Sequence, residues 1–293
     1  GRKNGVWTWW FDTGVKQSEG NYLDDEQNGL WEYFAPDGSV AEEITFSGGK
    51  RDGRSTLWLT PEEKQEEKFY KNGKLDGPST FWENGYRSTM TTYKSDNPEG
   101  PWVIWYPNLD QIKEQGFHQN GVREGLTTYY YDDGKMQREG FFQEGLPEGV
   151  WTYWNKKGDK DFDFDFGSGL EHISLEDLVE RESMFYKLGD DIPFTGIITQ
   201  ENPEADYLFL GRTKEGKKDG QWVKWFPSGK DVPEIILVDV PTPEPAVPWS
   251  GGKQEQGGFK GGEKHGDWTE WYDNEHIKSH GTYNEGIMDG PWT

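Results

Sequence analysis

Cysteine is absent from the chain, which excludes disulfides and thiolate metal sites. A cysteine-free chain suits export, so the expectation is an extracytoplasmic place (periplasm, cell surface or secretion) rather than the cytoplasm. No apolar run approaches the roughly 20 residues of a membrane-spanning helix. No signal-peptide pattern opens the sequence, which starts at Gly1 rather than Met. Positive charge is scarce: 31 Lys and Arg stand against 54 Asp and Glu, a net charge of −23. That field repels phosphate backbones and anionic lipid, so nucleic acid and acidic membranes are not expected partners. Cationic proteins, divalent ions and neutral ligands such as glycans stay open, as does a charge that serves solubility alone.

Catalytic motifs are missing as well. No G-x-S-x-G nucleophile elbow and no phosphate-binding loop occurs. The five histidines are His118, His172, His265, His276 and His280. His276 and His280 lie four apart, but Gly281 and Tyr283 beside them fit a strand, so a two-histidine helical metal site is not expected. The chain reads as non-catalytic, with no cofactor.

What is abundant is the aromatic ring. Sixteen Trp, sixteen Phe and fourteen Tyr make up 16% of the chain, among 39 Gly and 16 Pro. A disordered acidic chain would lack these rings. The mixture predicts short strands and frequent turns, with rings in place of aliphatic clusters.

The rings repeat. Glycine precedes an aromatic strand at Gly5, Gly29, Gly53, Gly77, Gly100, Gly125 and Gly149, with gaps of 24, 24, 24, 23, 25 and 24. The series resumes at Gly196 and Gly220, and again at Gly266 and Gly290, each pair 24 apart. Five residues after the glycine stands an aromatic: Trp10, Phe34, Trp58, Trp82, Trp105, Tyr130, Trp154, Trp225 and Trp271. The copy at Gly196 breaks the rule with Glu201. Each unit fits two strands joined by tight turns, with Asp37-Gly38, Asn84-Gly85 and Asp133-Gly134 between strands. Asp52-Gly53, Asp76-Gly77, Asp219-Gly220 and Asp289-Gly290 are read as turns between units. One hairpin buries too little to stand alone, so neighbours must stack. The predicted fold is all-β: a single-layer, open, twisted ribbon of about eleven antiparallel hairpins, roughly 100 Å long at the inter-strand spacing.

The pattern G-x-W-x-x-W/Y-x-x-x-G with a following E-G-x-Y/F, as in Gly5-Val6-Trp7 and Glu19-Gly20-Asn21-Tyr22, resembles the MORN-variant repeats of bacterial proteins. The resemblance covers nearly the whole chain and implies scaffolding or protein binding, with no active-site motif to carry over. Members labelled antitoxin-like add the reading of a binder that inhibits a basic protein. Eukaryotic MORN arrays contact phospholipid, which the charge here opposes.

Two breaks divide the array. Between Gly149 and Gly196, Ser174 to Arg181 reads as a short capped helix, with Ser174 and Asp177 as a capping box. With the following Pro193-Phe194-Thr195-Gly196 it resembles the opening of MORN-variant blocks. The organisation expected is a first array over 1–168, an insertion over 169–195 and a second array over 196–293. Between Gly220 and Gly266 a Pro-rich loop over 232–252 carries Pro241, Pro243, Pro245, Pro248 and Trp249. It is either a tolerated surface insertion or a docking arm for a partner. The sequence ends at Trp292-Thr293 in mid-strand, so the expectation is a longer polypeptide or end-to-end self-association.

Two ligand readings remain. Alternation at Asp161, Asp163 and Asp165 with Phe162, Phe164 and Phe166 puts three carboxylates on one strand face, a weak candidate Ca²⁺ site beside the plainer solvated acidic strand. Trp and Tyr rows could stack on sugars or cage a quaternary ammonium. The leading function is a protein-interaction or structural scaffold, with a carbohydrate or cell-surface binding module as the alternative.

Overall fold

The structure, a computed structural model, describes residues 1–202, 205–225, 252–272, 274 and 276–293. It falls into two compact units, Gly1–Asp163 and Phe164–Thr293. The candidate loop residues Pro241, Pro243, Pro245, Pro248 and Trp249 lie outside the described residues. Among the described residues no helix is long and apolar enough to cross a membrane.

The first sheet is a meander in which every strand pairs with the next. Its strands are β1 (Gly5–Trp10), β2 (Lys16–Leu23), β3 (Glu26–Phe34), β4 (Val40–Ser47), β5 (Lys50–Thr60), β6 (Glu63–Lys71) and β7 (Lys74–Glu83). They continue as β8 (Tyr86–Lys94), β9 (Asn97–Trp105), β10 (Ile112–Gln119), β11 (Val122–Tyr130), β12 (Met136–Gln143), β13 (Leu146–Trp154) and β14 (Lys160–Asp165). The order β1 to β14 is sequential, so the sheet is open and does not close into a barrel. Fourteen strands at about 4.8 Å each span roughly 60 Å.

The second sheet has eight strands and one exception to the meander. Strand β15 (His172–Ser174) lies parallel to β18 (Gly196–Asn202). After it come β19 (Ala205–Lys214), β20 (Lys217–Trp225), β21 (Lys253–Lys260), β22 (Glu263–Trp271), β23 (Ile277–Asn284) and β24 (Ile287–Asp289). The predicted helix at Ser174–Arg181 does not form. Leu175–Asp177 make one 3-10 turn, and Ser174 caps nothing with its side chain. The chain continues as β16 (Leu178–Arg181), which pairs with β17 (Met184–Lys187). Local propensity is overridden here, because Glu182 and Ser183 both take positive φ and close a tight hairpin. That hairpin carries Phe185 into a buried cluster with Phe194, Ile198 and Trp222.

The turns between units also differ from expectation. They fall at Asp24-Asp25, Gly48-Gly49, Asn72-Gly73, Ser95-Asp96, Asn120-Gly121 and Glu144-Gly145, each with positive φ at both residues. This is the type I′ hairpin geometry. The Asp-Gly pairs at 52–53, 76–77 and 219–220 lie inside strands. There the marker glycine forms a bulge: Phe46 faces Arg51 while Ile44 faces Ser55, so two steps on β4 match four on β5. Gly53 has φ +114, a conformation that L side chains rarely adopt. Turns within units match the reading at Asp37-Gly38, Asn84-Gly85 and Asp133-Gly134. The 23-residue copy has the two-residue Asn84-Gly85 turn, and the 25-residue copy has the longer turn over 107–110.

Candidate functional site

Alternation along the strands gives each of the two sheets an indole face of its own and a second face of different chemistry. Two residues after the marker glycines Gly29, Gly149, Gly220 and Gly266, the side chains of Trp31, Trp151, Trp222 and Trp268 are buried. Each of these indoles donates its Nε1–H to a backbone carbonyl ten residues earlier: Asn21, Phe141, Arg212 and Gly258, at 2.9–3.2 Å. The approach is close because a glycine faces each ring, at Gly20, Gly140, Gly211 and Gly257. A Cβ on Gly211 would stand 2.5 Å from the Trp222 ring. In two copies that lack the tryptophan the partner is larger, since Ile44 faces Ser55 and Lys68 faces Ser79, while Gly116 stays beside Thr127 in a third.

Several cross-strand pairs on this face meet edge to face, while Trp7–Trp9, Trp9–Trp31 and Trp31–Tyr33 lie closer to parallel, at 31°, 37° and 32°. Tyr22 crosses Trp31 at 87°, Phe142 crosses Trp151 at 84° and Phe259 crosses Trp268 at 88°. Cations from the same chain sit over them. Lys3 Nζ lies 4.9 Å from both Trp7 and Tyr22, Arg123 lies 4.6 Å from Trp102, and Lys264 lies 3.9 Å from Trp268. Lys218 sits 4.6 Å over Trp222 and 5.0 Å over Phe259. Burial holds its ammonium below the usual lysine range. These bases stand two residues before a marker glycine, at Lys3, Arg51, Arg123, Lys218 and Lys264. Sequence reasoning missed them, although the regular spacing was there to read.

The other face of the first sheet is acidic at its centre. Glu19 faces Glu32, Glu32 faces Glu43, Glu43 faces Thr56 and Thr56 faces Glu67 across consecutive strands. Lys16 and Thr8 hydrogen-bond Glu19 and hold its carboxyl below the usual range. The aromatics five residues after the marker stand at or near the ends of their strands, at one margin of this face, opposite bases or aliphatics: Trp10 faces Lys16, Phe34 faces Val40 and Trp58 faces Lys64. Trp82 faces Arg87, Trp105 faces Ile112 and Tyr130 faces Met136. Lys64 Nζ lies between Trp58 and Trp82, at 5.7 and 5.5 Å. In the second sheet Trp271 faces Ile277 and lies 5.2 Å from Lys253 Nζ.

A second set of missed residues stands directly before the marker glycines. Asn4, Asp52, Glu99 and Glu124 each accept the backbone N–H of a turn residue about one unit on: Asp24, Asn72, Asn120 and Glu144, at 2.8–3.0 Å. Part of the acidic surplus therefore holds turns in place.

The structure does not gather Asp161, Asp163 and Asp165 into a cation site. Asp163 accepts from Lys160 Nζ at 2.7 Å and Thr152 Oγ1 at 2.9 Å, which hold its carboxyl below the usual range. Asp165 accepts from the N–H of Gly167 at 2.9 Å, and Arg212 lies 3.8 Å from it. Among the described residues no three His, Asp or Glu side chains converge to hold a metal ion. The strand does alternate as read, with Phe162 and Phe164 buried.

The family described as MORN repeat variant matches four windows: residues 3–24, 27–47, 123–144 and 264–285. Each window opens two residues before a marker glycine and closes at the following two-residue turn. Those four windows therefore match the MORN repeat variant, a non-enzymatic module of binding or scaffolding proteins. No curated protein matches the chain.

Proposed function

We propose that this chain of MORN-variant repeats is a non-catalytic scaffold that binds a protein partner through its open acidic sheet. The observation that carries the reading is how the rings are used. On the indole face the tryptophans are buried or covered by the chain's own Lys and Arg, which leaves little open aromatic surface for a sugar. The exposed rings among the described residues are Trp7, Trp10, Phe81, Tyr86, Phe117, Phe141 and Tyr272, spread over many strands. Apolar side chains set in an acidic surface suit a basic protein, because charge steers the encounter and buried apolar area holds it. An antitoxin-like grip on a basic target is one form of this reading, and a self-assembling scaffold is another.

The test is affinity isolation of the full chain from its native source with mass spectrometry, run beside a glycan array. A stoichiometric protein partner, with a blank array, supports the scaffold. A monomer retained only by glycan or cell-wall material contradicts it and favours the carbohydrate-binding alternative.

A further inference from the structure

The indole face is occupied by its own cations, and one margin of the acidic face is lined by aromatics paired with Lys, Arg and aliphatics. The opposite margin of the acidic face is different. On four successive strands, β10 to β13, it presents Phe117, Leu126, Phe141 and Val150, which are 44%, 48%, 58% and 57% exposed. Leu126 and Phe141 face each other directly. In the earlier strands the same margin is broken by polar residues and proline, as where Leu30 faces Thr45 and Pro78 faces Thr92. The apolar stripe is thus confined to β10–β13, where it covers a few hundred Å², the size at which a surface patch is often functional.

We propose that this stripe docks a basic amphipathic helix of the protein partner; the proposal rests on the scaffold reading above. Charge selects a basic occupant. Glu139 stands on the stripe's own face between Thr128 and Thr152. Arg123 and Arg138, the guanidiniums of β11 and β12, are turned to the indole face over Trp102 and Tyr129. Spacing selects a helix. Strands recur about every 4.8 Å along the stripe. Successive helical turns recur at about 5.4 Å, whereas a strand presents one face only every ~6.7 Å. A helix lying across the strands can therefore set one apolar residue of each turn, at i, i+4, i+7 and i+11, between neighbouring stripe residues.

The experiment uses fluorescein-labelled synthetic helices of about 18 residues, one of leucine and lysine with leucines at those positions, the other with glutamate in place of lysine. They are titrated into the full chain and into the double variant Leu126→Thr/Phe141→Thr, which removes the apolar surface without placing like charges opposite each other. Both substituted positions are half exposed, so the variant should melt with the wild type. The lysine helix should bind the wild type, weaken with added salt, and lose about tenfold or more in the variant. The glutamate helix should not bind. Equal binding of the lysine helix to wild type and variant, or no binding at all, overturns the proposal. So does a wild-type dimer abolished by the substitutions, which would make a second copy the occupant. If the variant still retains the affinity-isolated partner, the scaffold reading stands and this docking face falls. If no protein partner exists, the scaffold reading itself falls.

Discussion

At the level of single residues, the fold rests on a size match between neighbouring strands. A glycine lets the facing indole lie flat and reach a carbonyl, and any Cβ there collides with the ring. Gly140→Ala should lower stability by about 1–3 kcal/mol in chemical denaturation. In a Trp151→Ser background the same change should be near neutral, because the collision is gone; additive costs would disprove the match. Trp102 supports the argument from inside the chain: Thr91 faces it in place of glycine, and its Nε1 has no hydrogen-bond partner among the described residues. Titration adds a second prediction at this scale. Burial holds His172 and His118 below the usual imidazole range, and Arg123 adds to the effect at His118. Between the folded pKa and the ordinary value of 6.5 the unfolded chain binds more protons, so stability rises with pH there. Acidification from about pH 7 to about pH 5 should lower Tm, and His172→Phe, which keeps a ring against Phe166, should flatten that slope. An unchanged slope would place the sensitivity elsewhere. The G-x-W pattern was legible in the sequence, but the weight of the tryptophan two residues after the marker was not. Which of two alternating aromatics faces the buried side depends on pairing register, and the bulge shifts that register by two.

For the strands and turns, the period fixed hairpin number and length well, while the turn positions moved. Asp-Gly pairs carry a turn signature wherever they stand, yet here the glycine forms a bulge and the preceding acid holds a turn in the next unit. Asp52→Ala should therefore cost about 1 kcal/mol, because the N–H of Asn72 loses its acceptor. Asp52→Asn should be nearly silent, since Asn4 plays the same part with an amide. Equal losses from both would mean that the charge, not the hydrogen bond, matters. The helix expected at 174–181 failed for a related reason. Its apolar residues suit either period, and only the Glu182-Ser183 turn and the burial of Phe185 decide for a hairpin. Three aspartates on β14 were likewise legible as a row but not as a site, because their partners Lys160, Thr152 and Arg212 come from elsewhere in space or from the strand end. Millimolar Ca²⁺ should leave Tm unchanged; a rise of several degrees would restore the cation reading.

At the scale of the whole molecule, each sheet is a one-dimensional array of nearly equal units that owes its stability to contacts between neighbours. Function must then come from what differs among the units, and the differences lie on the surface. Cations cover the rings of one face, while an apolar stripe in an acidic setting marks a few strands of the other. The measurement that tests this most directly is hydroxyl-radical footprinting of the full chain alone and in its affinity-isolated complex. The account predicts protection at Phe117, Leu126 and Phe141, with the reachable indole-face rings Trp7 and Tyr22 unchanged. Protection of the indole-face rings, with the stripe left as reactive as in the free chain, would contradict it.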